Sequence, residues 1–363
     1  MGSIPKTGTR TQLDPEIKDF LSSQNPDLHL GSTDFTHERQ HHTHVLGFHA
    51  LPEEQRAPIG RVEFITLRGP YGTIPVRAFY PKSGEDKTNA GDAAALVYFH
   101  GGGYTVGTVD EFENGCRILA EEAGVQVYAV EYRLSPEWRY PTQLNEYDFV
   151  VEWLQGQGGK ERGVHSDRVM GSGDSAGGNM TASICLRRLD QGKKPLHAQL
   201  LLYPEARLPF DTPAAEENNG GPYLECKSHT LDLATHFSPP LEELGAREQS
   251  DKYHAGNGIF SFADHYLPRG GSVSPSHRYI SPGSQPSSAL KRLPPAAVFT
   301  CGFDCLRDVG IEYASKLKDA GNQVIWHHFD TLCHGFLQMA PWSAQALAAT
   351  KQVASEMKRL GCS

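Results

Sequence analysis

Six short, continuous apolar runs limit what this chain can fold into more than any other feature. They lie at 93–99, 125–132, 168–172, 198–203, 296–301 and 324–329. Runs of this kind, without polar alternation, are expected of strands covered on both faces of a sheet. Between them, apolar residues recur at i, i+3 and i+4 in 112–123, 143–155, 176–189, 310–320 and 342–360, which predicts helices. Strands alternating with helices predict a mostly parallel, doubly wound α/β sheet. Ahead of them, 62–67 and 74–80 alternate like an antiparallel pair about Gly69-Pro70-Tyr71-Gly72, so the sheet is expected to be mixed.

Two stretches break this rhythm. Residues 1–60 are polar, rich in His, Gln, Pro and Asp. Residues 204–288 are rich in Gly, Pro, Ser and Asn, with helical hints only at 228–237 and 260–266. Loops this long inside a compact domain are usually functional or disordered. The expected division is an N-terminal cap segment at 1–60, a core at 61–203 and 289–363, and a cap or lid insertion at 204–288.

Charge and cysteine usage narrow the function classes. The 43 acidic and 34 basic residues give a net charge of −9, which disfavours a phosphate backbone as partner, so no nucleic acid is expected. No apolar run approaches the ~20 residues of a membrane span. The first twenty residues carry no apolar core of a secretory signal. Seven cysteines, odd in number and irregularly spaced, point to reduced thiols and a cytoplasmic protein.

The run at 168–172 leads into Gly173-Asp174-Ser175-Ala176-Gly177-Gly178-Asn179 and then a helical segment. This is G-x-S-x-G between a strand and a helix, where a sharp turn lifts the Ser175 hydroxyl off the sheet edge. Small residues at Gly173 and Gly177 permit that turn, and the Ala176 amide faces a developing oxyanion. Gly171, Gly173 and Ala176 also fit a dinucleotide fingerprint. That motif belongs in the first βα turn with an acid ~20 residues on, and neither condition holds. His100-Gly101-Gly102-Gly103 follows the run at 93–99 and exposes backbone N–H groups, an arrangement that lipases and esterases use as an oxyanion hole. No Lys-Ser or Lys-Thr follows, which excludes a P-loop.

An acid and a base are expected after the serine, at strand C-terminal ends. Asp304 follows the run at 296–301, with Asp308 as its rival. Asp304 is assigned to catalysis, and Asp308 to the N-cap or first turn of the next helix. His334 sits on the loop after 324–329, whereas His327 and His328 fall within the strand. His37, His41, His42, His44 and His49 read as a solvated His-rich segment rather than a zinc site. Asn179-Met180-Thr181 fits a glycosylation sequon but lies in the nucleophile helix. Cys305 and Cys333 are expected to be packing cysteines.

These blocks, with Tyr132-Arg133-Leu134-Ser135-Pro136-Glu137, Asp304-Cys305-Leu306-Arg307-Asp308 and His334-Gly335-Phe336, resemble the hormone-sensitive lipase-like family of carboxylesterases over 93–336. A fungal-type member is expected. The resemblance implies an α/β-hydrolase fold, a triad of Ser175, Asp304 and His334, and an oxyanion hole from the amides of Gly102, Gly103 and Ala176. It also implies short acyl esters as substrates and a cap built from the N-terminus and a mid-chain segment; no cofactor or metal is expected. Cys305 stands where the family usually has Pro, and the insertion at 214–258 is longer than in small bacterial members. Plant gibberellin receptors resemble the family too but lack the histidine present here as His334. The expected reaction is hydrolysis through an acyl-serine. The alternatives are acyl transfer or lactone chemistry on the same triad, and, remotely, a non-catalytic receptor. The expected partner is a small-molecule ester, with a homodimer as the possible assembly.

Overall fold

In a computed structural model, residues 3–31, 34–224 and 259–362 are described. Eight strands form one sheet: β1 (Arg61–Gly69), β2 (Gly72–Tyr80), β3 (Ala93–Phe99), β4 (Gln126–Val130), β5 (Val164–Asp174), β6 (Gln199–Leu202), β7 (Ala296–Phe303) and β8 (Val324–Cys333). Their order is β1-β2-β4-β3-β5-β6-β7-β8. β1 and β2 are antiparallel, β2 meets β4 antiparallel, and every pairing from β4 to β8 is parallel. The mixed, doubly wound sheet is therefore the one the apolar runs predicted.

All seven residues of β3 are buried, as are all five of β4 and all four of β6. Helices on both faces account for that burial. They are α2 (Val109–Ala123), α3 (Thr142–Gln155), α4 (Ala176–Asp190), α6 (Arg307–Asp319) and α7 (Ala344–Gly361). In the insertion, α5 (Ile259–Tyr266) matches the hint at 260–266; the hint at 228–237 lies outside the described residues.

Three strands run further than periodicity indicated. β5 continues through Gly173-Asp174, β7 to Phe303 and β8 to Cys333. Glycine and acid residues hide strand ends from an apolar count, yet backbone pairing holds them: Asp174 pairs with Leu202, and Phe303 with Cys333. In consequence Ser175, Asp304 and His334 each stand at the first position past a strand. No loop length separates them from the sheet.

The N-terminal segment is more ordered than its composition suggests. It contains α1 (Phe35–Leu46), with Asp34 accepting the His37 amide at 3.0 Å as N-cap. His42 on α1 is buried, with Nε2 2.7 Å from the His29 carbonyl, and burial pushes its imidazole down to about 4. The solvated reading of the His-rich segment thus fails at His42, because the inward face of α1 lies over the core. Among the described residues no His, Cys, Asp or Glu cluster is arranged to hold a metal, and no helix is long and apolar enough to cross a membrane.

Cys305 corrects a second expectation, because it is disulfide-bonded. A disulfide depends on which sulfurs the fold brings within bonding distance, which spacing alone does not reveal. Cys333 is a buried free thiol packed 3.6 Å from the Met339 sulfur, as a packing cysteine should be.

Candidate active site

Ser175 joins β5 to α4 with φ 53° and ψ −119°. A residue with a side chain holds such a left-handed backbone only when its surroundings over-determine it. Its amide donates to the Leu202 carbonyl at 2.9 Å, and its carbonyl accepts the Glu205 amide at 3.2 Å. Crowding explains the flanking glycine, since a Cβ on Gly177 would overlap the Phe99 carbonyl.

The glycine loop leaves β3 beside this turn. Gly102 and Gly103 have φ of 98° and 57°. Among the described residues their amides donate to no acceptor. Ala176 opens α4, so its amide has no partner within the helix. Asp174 ties the loop to the serine turn: its Oδ1 accepts the Gly101 amide at 2.7 Å and the Tyr98 hydroxyl at 2.6 Å. Burial pushes the Asp174 carboxyl up to about 6, against the pull of those two bonds. His100 stacks on Tyr132 at 4.4 Å with Nδ1 2.8 Å from the Gly101 carbonyl, and burial pushes it down to about 4. A neutral His100 is a structural wedge here, not a second base.

The acid and the base meet at the ends of β7 and β8. Asp304 Oδ1 accepts the Leu306 amide at 2.8 Å, and Oδ2 accepts the N–H of His334 Nδ1 at 2.9 Å. Both side chains are buried. The Tyr203 ring packs edge-on against the imidazole at 4.7 Å, immediately after the strand whose Leu202 holds Ser175. His334 Nε2 is buried and has no hydrogen-bond partner among the described residues. Asp304 and His334 are thus brought into contact, while Ser175 and His334 share the sheet edge without a hydrogen bond.

Asp308 does not cap its helix. Leu306 is the N-cap of α6, and Asp308 lies in the first turn. Its Oδ1 accepts the Gly8 amide at 3.0 Å, and its Oδ2 accepts the Ala214 amide at 3.1 Å. The carboxylate therefore clasps the N-terminal segment to the insertion. A long-range bond of this kind has no signature in local sequence.

The sequence reading passed over three further side chains. Asp174 lay inside the G-x-S-x-G motif, unassigned. Tyr203 sat at the end of a predicted strand. Glu205, buried and with its carboxylate accepting the Tyr104 hydroxyl at 3.3 Å, follows two residues on, where a lone acid after a strand is the available signal.

Comparisons with known proteins agree with this geometry. A family model described as alpha/beta hydrolase fold matches residues 96–338. Esterase LipI of Mycobacterium tuberculosis is 32% identical over 302 residues, covering 83% of each chain. Arylacetamide deacetylase of Bos taurus is 29% identical, covering 74% of this chain and 73% of its own. The solved hyperthermophilic esterase from the archaeon Pyrobaculum calidifontis superposes with a TM-score of 0.78 at 27% identity, covering 97% of this chain and all of that one. Strand order, serine turn, glycine loop and these relatives converge: the chain belongs to the α/β-hydrolase fold family, as a hormone-sensitive lipase-like hydrolase of the carboxylesterase type.

Proposed function

We propose that the chain hydrolyses small to medium carboxylic esters through an acyl-Ser175 intermediate. His334 takes the Ser175 proton and delivers it to the leaving alcohol. Asp304 holds the imidazole in the tautomer that leaves Nε2 free to accept, and the amides of Gly102, Gly103 and Ala176 receive the oxyanion. The observation that carries this reading is the 2.9 Å bond from His334 Nδ1 to Asp304, with Nε2 buried and unpartnered. Hydrogen bonds to serine are often long in unliganded enzymes and tighten in the complex.

The segments 1–60 and 204–288 are assigned as the cap over a core of 61–203 and 289–363, with 225–258 outside the described residues. Supporting contacts are a parallel bridge between Leu30 and Leu224, and Tyr266 of α5 stacked on Tyr104 at 3.7 Å beside the glycine loop. The relatives reported above are mycobacterial, mammalian and archaeal, so they support the family and not a fungal branch of it. With Cys305 in a disulfide, thiol usage no longer favours a cytoplasmic location.

An aryl phosphonate ester tests the mechanism. It should add one phosphonyl group, located by peptide mass spectrometry at Ser175, with loss of esterase activity. Labelling elsewhere with activity intact, or full activity in Ser175→Ala, would reject it.

A further inference from the structure

We propose that a one-water cavity behind the glycine loop, gripped by Glu111, presents the water that cleaves the acyl-enzyme, and so commits this site to hydrolysis. The proposal rests on the acyl-Ser175 reading and names the nucleophile of its second half.

The cavity is bordered by Leu30, His42, Gly102, Glu111, His334 and Gln338, among others, and offers ≈ 10 Å³ to the centre of a water-sized sphere. About that much room holds a single water, provided two to four polar groups face it. Of its lining residues, Glu111 and His334 are those with buried polar side-chain atoms lacking a partner among the described residues: Oε2 of Glu111 and Nε2 of His334.

Glu111 stands in the first turn of α2, 3% exposed. Its Oε1 accepts the hydroxyls of Thr43 at 3.1 Å and Thr108 at 3.2 Å. Burial pushes the carboxyl up to about 8, helped by the nearby negative charges of Glu131 and Asp110. The group therefore keeps its proton at neutral pH. Oε1 accepts from Thr108 and shares the single Thr43 hydroxyl proton with the Arg39 carbonyl, which lies 2.8 Å from that hydroxyl; a proton on Oε2, which has no partner among the described residues, makes Oε2–H a donor. Of the other titratable groups of the wall, Asp174 is engaged by Gly101 and Tyr98, and His42 by the His29 carbonyl; Tyr223 is the remaining one.

A water there accepts from Glu111 Oε2–H and donates to His334 Nε2 once Ser175 is acylated. Its oxygen attacks the acyl carbon while its proton passes to Nε2. The bond from the acyl carbon to Ser175 Oγ then breaks, Nε2 returns the proton to Oγ, and the carboxylic acid leaves. Room for the centre of about one water-sized sphere favours water over a bulkier alcohol as the nucleophile delivered from this side. Glu111 acts through that water and is a positioning residue.

The test uses the full chain with p-nitrophenyl butyrate, with and without added methanol. Glu111→Met removes the donor, Glu111→Gln restores one, and Leu30→Phe fills the cavity while leaving the Glu111 bonds intact. In Glu111→Met, kcat/KM, which reports acylation, should stay within about two-fold. The constant kcat should fall about ten-fold, roughly the worth of one hydrogen bond. A burst of p-nitrophenol should appear, and the ratio of methyl butyrate to butyric acid should rise about ten-fold. Glu111→Gln should return these values towards wild type, and Leu30→Phe should raise the ratio as Glu111→Met does. Phosphonate labelling at the wild-type rate certifies that each variant is folded; should Glu111→Met not fold, Leu30→Phe decides. A product ratio unchanged in a folded variant overturns the proposal, as does a fall of kcat/KM matching that of kcat. Failure of the wild-type enzyme to label at Ser175 would instead reject the acyl-serine reading itself.

Discussion

The carboxylate of Asp174 accepts the amide of Gly101 at 2.7 Å, and so fastens the glycine loop after β3 to the residue preceding Ser175. Two elements 73 residues apart are thereby held in one frame. Oxyanion stabilisation depends on donors fixed before charge develops, so this tie sets where the Gly102 and Gly103 amides stand relative to the serine.

Asp174→Ala should lose both activity and stability. It leaves the buried Gly101 amide and Tyr98 hydroxyl without their acceptor, at ~1–3 kcal/mol each. A loosened oxyanion loop should lower kcat/KM on the order of 10²-fold. Asp174→Asn keeps an acceptor oxygen and should retain more of both. Esterase kinetics and thermal melts of the two variants separate tie from charge; equal kinetics in wild type and Asp174→Ala would show that the tie is idle.

Asp304 and Asp308 should fail differently. Asp304→Asn presents an amide to His334 Nδ1, favours the wrong tautomer, and should cut kcat by about 10⁴-fold while the melting temperature moves little. Asp308→Ala strands the Gly8 and Ala214 amides and should lower the melting temperature by several degrees at nearly unchanged kcat. If Asp308→Ala proved the dead enzyme and Asp304→Asn the active one, the acid assignment would be reversed.

Glu205 sets a pH dependence of stability. Burial pushes its carboxyl up to about 8, from 4.5 in the unfolded chain. The folded state thus binds the proton more tightly, and its contribution to stability is lost as pH rises from about 4.5 through 8. Glu205→Gln does not titrate and still accepts from Tyr104. Melting temperatures should nearly coincide at the acid end and diverge in favour of the variant towards alkaline pH. A gap independent of pH would show that Glu205 ionises in the fold as readily as outside it. Buried His42 and His100, both pushed down to about 4, act with the opposite sign and cost stability as pH falls from 6.5 to 4.

Phe262 of α5 packs its ring on the glycine loop. A Cβ on Gly103 would overlap the Phe262 ring, and Gly103 already has φ 57°. Phe262→Ala should lower stability by ~3 kcal/mol, a usual loss for a buried ring, and raise relative kcat/KM for bulkier esters. A panel of p-nitrophenyl esters of increasing acyl size reads that preference. Gly103→Ala should be far more damaging, because strain and collision fall on the oxyanion loop itself.

The sequence by itself determined the architecture and the chemistry on offer. Strands buried on both faces must be apolar throughout, and helices over them must be apolar every third or fourth residue. Those periods survive in the bare chain as the runs at 93–99 and 296–301 and the helical stretches between them. Gly173-Asp174-Ser175-Ala176-Gly177 was legible because a sharp strand-to-helix turn tolerates few residue types. What tertiary structure alone decided are the pairings between distant residues: Asp174 with Gly101, Asp308 with Gly8 and Ala214, the bonded Cys305, and Glu111 on the wall of one cavity with His334. A hydrogen bond, a disulfide or a cavity depends on distances set by the whole packed chain, and local composition carries no record of them.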